Sequence, residues 1–195
     1  SFITQAIAAG AVAVVTSPLD VLPNVRVPIF EVENFSATLG AASARLNESP
    51  SEALRLIGVT GTNGKTTVSY LLASVLEKWG GCGLIGTLGV GRPGDLAKSG
   101  HTTPEVMRTN ELLAHFHANG ASAAVMEVSS HGISQGRICG LQFDMAVFTN
   151  LSQDHLDYHG DMDSYWAVKA KLFEVPGLST SIVNRDDPRH ASISC

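Results

Sequence analysis

Gly58-Val59-Thr60-Gly61-Thr62-Asn63-Gly64-Lys65-Thr66-Thr67 lies between a short apolar run and a long amphipathic one. Leu54 to Val59 reads as a buried parallel strand. After the turn, Val68, Leu71, Leu72, Val75, Leu76 and Trp79 recur at helical spacing, which places them on one face of a helix stopped by Gly80-Gly81. Strand, glycine-rich turn and helix in that order make a phosphate cradle. Gly61, Thr62, Asn63 and Gly64 form the turn, where glycine lets backbone N–H groups approach phosphate oxygens without a Cβ. The helix start adds the positive end of its dipole. Lys65 is placed to reach the β and γ phosphates, and the Thr66 hydroxyl to ligate Mg²⁺. The usual loop has its first glycine where this chain has Val59, so the match is to a variant. The chain is expected to bind a nucleoside triphosphate.

A second glycine pattern, Gly81-Cys82-Gly83-Leu84-Ile85-Gly86, spells the dinucleotide fingerprint. It follows a helix and runs into a strand, the reverse of the order that a dinucleotide site needs. A helix stop followed by a glycine-rich strand explains it, and NAD and FAD are rejected.

Working outward, strands are expected at Cys82 to Thr87, Ala123 to Val128, Phe143 to Thr149 and Ser181 to Asn184. Helices are expected at Pro104 to Ala118 and Asp161 to Phe173, with a loop between Thr87 and Pro104. Alternating strands and helices give an α/β fold of P-loop type, a mostly parallel sheet with helices on both faces. Ahead of it, a helix stopped at Gly10, a buried strand at Ala11 to Thr16, a loop marked by Pro18 and Pro23, a strand at Val27 to Val32 and a helix at Phe35 to Leu46 form part of a small α/β domain. Asn47-Glu48-Ser49-Pro50-Ser51 reads as a linker, dividing residues 1–50 from 51–195.

The 195 residues are 44% hydrophobic, which excludes wholesale disorder, and 13 basic against 18 acidic residues make a nucleic acid or an anionic membrane a poor partner. Cys82, Cys139 and Cys195 are few and scattered, which argues for a reducing compartment and against a disulfide frame or zinc site. The uncharged stretch Ser1 to Leu19 is interrupted by Thr4, Gln5 and Gly10 and has no basic region before it, so it is not read as a membrane or signal segment.

Other residues gather at strand ends. Glu127 closes the apolar run Ala123 to Met126, at the edge where such sheets bind ligands, and is positioned like an acidic Mg²⁺ ligand; a plain surface glutamate is the other reading. Ser129-Ser130-His131-Gly132 lacks the leading glycine of a nucleophile elbow. In Asn150 to Gly160, His155 and Asp154 are candidate metal ligands, whereas Asp157 and His159 read as solvated and Asp161 as a helix cap. His115 and His117 read as surface residues, and Lys169 and Lys171 as solvated helix charges.

Taken together, Gly61 to Thr67, Thr102-Thr103-Pro104, Met126 to Gly132, Gln135 with Arg137, Phe148 to Ser152 and Asp154 to Gly160 resemble the Mur ligase family, ATP-dependent amide-forming enzymes of peptidoglycan synthesis. Within it, Asn63 fits the branch that adds the third amino acid to UDP-N-acetylmuramoyl-L-alanyl-D-glutamate better than the branch that adds the first. The Ser129-to-Gly132 and His155-to-Gly160 stretches separate the resemblance from the related folylpolyglutamate synthetases. The resemblance implies ATP and Mg²⁺ as cofactors, with Gly61 to Thr67 and Asn150 on the nucleotide and Thr66, Glu127 and His155 on the metal. It makes Lys65, His155 and Lys169 catalytic, Lys169 carbamylated in support of magnesium, and Thr102, Thr103, Ser129, Gln135 and Arg137 contacts to the muramoyl-dipeptide. The second substrate is a diamino acid, meso-diaminopimelate or L-lysine. A cytoplasmic monomer is implied. The family has three domains; residues 1–50 would be the back of the UDP-substrate domain and 51–195 most of the ATP-binding domain, with the C-terminal domain absent. Alone, such a chain is expected to bind nucleotide without turnover.

Folylpolyglutamate or cyanophycin-type ligation shares the loop and the chemistry, and a nucleotide-binding remnant is a further alternative. A regulatory GTPase would want an Asn-Lys-x-Asp motif, which the sequence lacks.

Overall fold

A computed structural model describes residues 2–20 and 24–193. Pro23 and Cys195 lie outside the described residues. The first elements are α1 (Phe2–Ala8), β1 (Val14–Thr16), β2 (Ile29–Glu31) and α2 (Phe35–Leu46). They are followed by α3 (Pro50–Ala53), β3 (Arg55–Thr60), α4 (Lys65–Gly80), β4 (Cys82–Gly86), β5 (Gly89–Arg92) and β6 (Asp95–Ala97). The remainder is α5 (Val106–Ala118), β7 (Ala123–Glu127), α6 (Ser130–Ser134), β8 (Met145–Phe148), α7 (Leu156–His159), α8 (Met162–Ala170) and β9 (Thr180–Val183). Short 3₁₀ turns follow α8 at Lys171–Glu174 and β9 at Pro188–Ser192. No helix among the described residues is long and apolar enough to cross a membrane.

The main sheet runs β6-β5-β4-β7-β3-β8-β9. Its last five strands are parallel, and β5 and β6 are antiparallel to their neighbours. The chain leaves β3 toward β4, returns through β7, then crosses to β8 on the other side. The carboxyl end of β3 therefore lies where strand order reverses, the usual crevice for a ligand in an open α/β sheet.

Alternation along the strands makes two cores. Leu56, Ile85, Ala124, Met126 and Ala146 face Leu113 and Phe116 of α5 and Leu172. Ile57, Val59, Leu84, Val125 and Val147 face Ala73, Leu72 and Leu76 of α4. The false dinucleotide pattern is explained glycine by glycine. Gly81 ends α4 at φ 76°, a Cβ on Gly83 would sit 2.0 Å from the Phe116 ring, and one on Gly86 would sit 2.2 Å from Glu127 Oε1.

Several expectations change. The six apolar residues of α4 do not share one buried face: Leu71, Val75 and Trp79 are exposed, Trp79 by 83%. The helix is rotated so that Ser69 and Ala73, both fully buried, meet the sheet, and small side chains there allow close approach. The loop expected before Pro104 contains the β5–β6 hairpin. Gly89, Gly91 and Gly94, all at positive φ, hid it behind turn chemistry, while Arg92 pinned to Glu77 at 2.8 Å fixes it to α4. The strand expected to be buried at 11–16 is a three-residue, partly exposed strand paired only with β2. In place of a linker through Ser51, the chain turns at Glu48 and Ser49 (φ 60° and 50°) into α3, whose Pro50 and Ser51 are buried. Helix α2 packs on α5, and a Cβ on its Gly40 would meet the Cys139 carbonyl oxygen at 2.1 Å, so that glycine permits close approach to the segment after α6. The helix expected through Phe173 gives way after Ala170 to the 3₁₀ turn.

Candidate functional site

The turn after β3 is held from behind by the turn after β8. Thr62 N–H donates to the Asn150 carbonyl at 2.8 Å, Asn63 N–H to Asn150 Oδ1 at 3.1 Å, and Asn150 Nδ2 returns a bond to the Asn63 carbonyl at 3.0 Å. Thr149 Oγ1 donates to the Asn63 carbonyl at 2.7 Å, and the Thr62 hydroxyl accepts from Ser152 N–H at 3.0 Å. Gly61 (φ 145°) is obligatory, since a Cβ there would lie 2.0 Å from Thr149 Oγ1. Gly64, at φ 83°, caps α4. Thr67, the last residue of the motif, is exposed in the first turn of α4.

Two lysines meet inside this turn. Lys65 Nζ donates to the carbonyls of Gly61 and Thr62, both at 2.9 Å. Lys169 Nζ, on α8, also donates to the Gly61 carbonyl at 2.9 Å and lies 4.6 Å from the centre of the Tyr165 ring. Lys169 is 1% exposed, which overturns its reading as a solvated helix charge; Lys171 does stay exposed. Burial, and then the charge of Lys65, lower the Lys169 ammonium to about 7, opposed by Asp154. Burial also lowers Lys65, against the attraction of Glu127 and Asp154. Lys65 is thus the cation this turn can offer an arriving anion, and its charge helps to lower the Lys169 ammonium on the same carbonyl oxygen.

Glu127, at the end of β7, is 1% exposed. Its Oε1 accepts from Thr87 N–H at 2.8 Å, and its Oε2 accepts from Thr66 Oγ1 at 2.9 Å and Thr87 Oγ1 at 3.2 Å. The carboxylate thus sits against the first turn of α4, not on the surface. Thr66 and Glu127 fit a hard dication, being oxygen donors beside a phosphate cradle. Among the described residues no three His, Cys, Asp or Glu gather as a metal site.

Beyond Glu127 lies the loop carrying Thr102 and Thr103. Thr102 Oγ1 is 3.0 Å from Thr87 Oγ1. Thr103, 1% exposed, donates to the Glu127 carbonyl at 2.9 Å, accepts from Ser129 N–H at 2.9 Å and lies 3.0 Å from Ser129 Oγ. Ser129 in turn caps α6 by accepting from Gly132 N–H at 3.1 Å. Arg137 donates to the Thr103 carbonyl at 2.8 Å and Gln135 Oε1 at 2.6 Å, and its Nε lies 3.1 Å from Glu105 Oε1.

His155 stands at φ 52° ahead of α7, exposed, with its Nε2 3.4 Å from Asp154 Oδ2. Its ring lies 4.8 Å from His131 and 6.2 Å from Tyr165, and no hydrogen bond links it to Thr66 or Glu127. Asp157 is exposed, as expected, and Asp161 caps α8 by accepting from Ser164 N–H at 2.7 Å. His159 departs from its solvated reading. Its Nε2 is 3.0 Å from Ser130 Oγ, and its ring lies 5.0 Å from Tyr165. Burial and the neighbouring His131 lower its basicity. His115 and His117 are exposed on α5.

Sequence reasoning missed Thr87, Glu105 and Tyr165. Thr87 carries no motif of its own; Glu105 directly follows Thr102-Thr103-Pro104, and Tyr165 lies four residues before Lys169, one helical turn away.

Comparison with known proteins places this arrangement. Residues 59–194 match the sequence model of the Mur ligase middle domain. A UDP-N-acetylmuramoyl-L-alanyl-D-glutamate–2,6-diaminopimelate ligase of Pseudomonas aeruginosa is 50% identical over 188 residues, 95% of this chain and 39% of that protein. The chain thus spans about two fifths of the length of that relative. A solved structure of a ligase of the same name is 34% identical, covers 98% of this chain and 39% of its own, and superposes with a TM-score of 0.83. A MurF structure from Acinetobacter baumannii, 23% identical over 98% of this chain and 39% of that one, shares the fold with a TM-score of 0.64. The ordered motifs, the lysine-crowded glycine turn and the span of the middle-domain match give one conclusion: the chain belongs to the Mur ligase family.

Proposed function

We propose that the chain is the nucleotide-binding part of an ATP-dependent, ADP-forming ligase that adds a diamino acid, meso-diaminopimelate or L-lysine, to UDP-N-acetylmuramoyl-L-alanyl-D-glutamate. Residues 1–50 belong on this reading to the UDP-substrate domain and 51–195 to the central domain. The observation that carries it is the Lys65 ammonium, bonded to the carbonyls of Gly61 and Thr62 within a glycine turn at the start of α4, beside Thr66 and Glu127. That turn suits a polyanion, and the middle-domain match and the 50% identity to a diaminopimelate ligase support the reaction.

In the reaction, the side-chain carboxylate of the dipeptide's glutamate attacks the γ-phosphorus of ATP, and ADP leaves. The amine of the incoming amino acid attacks the resulting acyl phosphate, and phosphate leaves. The backbone of Gly61 to Thr67, with Asn150 bracing it, holds the phosphates, and Lys65 turns from the carbonyls toward the oxygens that gain charge. Thr66, Glu127 and His155 are the residues to hold Mg²⁺, whose positive charge offsets that of the phosphate oxygens. Thr102, Thr103, Ser129, Gln135 and Arg137 organise the dipeptide side, Arg137 offering its fork to a carboxylate. Thr103 and Ser129 already spend their hydroxyls on each other and on backbone, which suits a reaction without an enzyme nucleophile. Lys169, with a pKa of about 7, is substantially neutral at physiological pH, the form that reacts with carbon dioxide to give a carbamate and a proton.

The enzyme so read works in the cytoplasm as a monomer, with no nucleic-acid or membrane partner. The test is phosphate release by the full-length ligase carrying this chain. Release requiring both the muramoyl-dipeptide and one diamino acid supports the reading. Release only with folate and glutamate moves the chain to the folylpolyglutamate branch, and silence with every pair leaves a nucleotide-binding remnant.

A further inference from the structure

Thr87 is the first residue after β4 and belongs to no phosphate, metal or substrate motif. It nevertheless makes two of the three hydrogen bonds that fix the Glu127 carboxylate, with its N–H on Oε1 at 2.8 Å and its hydroxyl on Oε2 at 3.2 Å. The same hydroxyl lies 3.0 Å from Thr102 Oγ1. Thr66 binds Glu127 from the other side at 2.9 Å. A line of oxygens therefore runs from Thr102 through Thr87 and Glu127 to Thr66. Gly86 keeps the line short, since any side chain there would strike the carboxylate at 2.2 Å.

Hydroxyl geometry makes Thr87 the pivot. A threonine hydroxyl has one proton to donate and lone pairs to accept. Glu127 Oε2 can only accept, so Thr87 gives its proton there and takes one from Thr102. A group that reorients Thr102 thus changes what Thr87 offers Glu127. We propose that Thr87 is a positioning residue that aims the Glu127 carboxylate and couples the muramoyl-dipeptide side of the site to the Mg²⁺–nucleotide side. This rests on the function proposed above.

The test uses the full-length ligase carrying Thr87→Val, which keeps the backbone N–H and the side-chain volume, and Thr87→Ser, which keeps the hydroxyl. Calorimetry measures binding of a non-hydrolysable ATP analogue with and without Mg²⁺, and thermal melting controls for folding. Outer partners of a metal-binding group are commonly worth about tenfold or more in affinity. The expected result is a roughly tenfold weaker Mg²⁺-dependent binding in the valine variant, unchanged metal-free binding and melting temperature, and recovery in the serine variant. Adding the muramoyl-dipeptide should tighten analogue binding in the parent and not in the valine variant. Equal Mg²⁺-dependent binding in parent and valine variant, or equal loss with and without metal, overturns the proposal. Failure of the parent itself to bind the analogue overturns the functional reading instead.

Discussion

The two sides of the site are built on opposite terms. On the proposed nucleotide side, Lys65 and Lys169 crowd the Gly61 carbonyl, and burial lowers the pKa of both. On the proposed dipeptide side, Thr103 and Ser129 are already satisfied by backbone and by each other, while Arg137 keeps a buried Nε without a hydrogen bond. The first side holds a buried cation that an arriving anion would meet; on the second, the Thr103–Ser129 pair is finished before any ligand binds. Losing Lys65 should therefore cost function, and losing Thr103 should cost structure.

The largest effect tests the first side. Lys65→Met should lower phosphate release by about a hundredfold or more, as removing one donor to a charged transition state does, with an unchanged melting temperature. A loss of folding would put Lys65 among the structural groups and break the contrast. Thr103→Val should act on the finished side, destabilising by about 1–3 kcal/mol because the Ser129 N–H and Glu127 carbonyl lose their buried partner. Denaturant unfolding measures it. Arg137→Lys keeps the charge but loses the fork, so the KM for the muramoyl-dipeptide should rise about tenfold while that for ATP stays.

A smaller effect comes from pH. With Lys169 lowered to about 7 in the folded chain, the unfolded chain binds more protons between there and the ordinary lysine value near 10.5, so this residue makes stability rise with pH across that window. Asp154 moderates the effect and the nearby Lys65 shares it. Lys169→Met should flatten the rise; an unchanged slope in denaturant titrations at pH 7 and 9 would show that the residue titrates normally. Least of all, Trp79→Gln on the exposed face of α4 should change stability by no more than about 0.5 kcal/mol.

The sequence is most legible where local rules and tertiary needs agree. The proposed phosphate turn shows in its glycines because the positive φ of Gly61 and Gly64 demands them there. The α/β alternation shows because β3, β7 and β8 are buried on both faces and read as apolar runs. Legibility fails where pairing over distance decides. The β5–β6 hairpin looks like a loop because glycines interrupt it, and its order comes from β4 and the Arg92–Glu77 pair. The apolar arc of α4 is wider than the face it buries, so periodicity alone could not tell Leu72 from Leu71. Lys169 is ordinary in its own helix, and its burial comes from Gly61, 108 residues away. Thr87 is invisible for the same reason, its partner being 40 residues away in β7.

The most direct measurement is a calorimetric titration of a non-hydrolysable ATP analogue with Mg²⁺ into the full-length ligase and its Lys65→Met variant. The predicted result is saturable one-site binding by the parent, weakened about tenfold or more by the substitution. Equal binding by both proteins, or none by the parent, would contradict a phosphate site at Gly61 to Thr67.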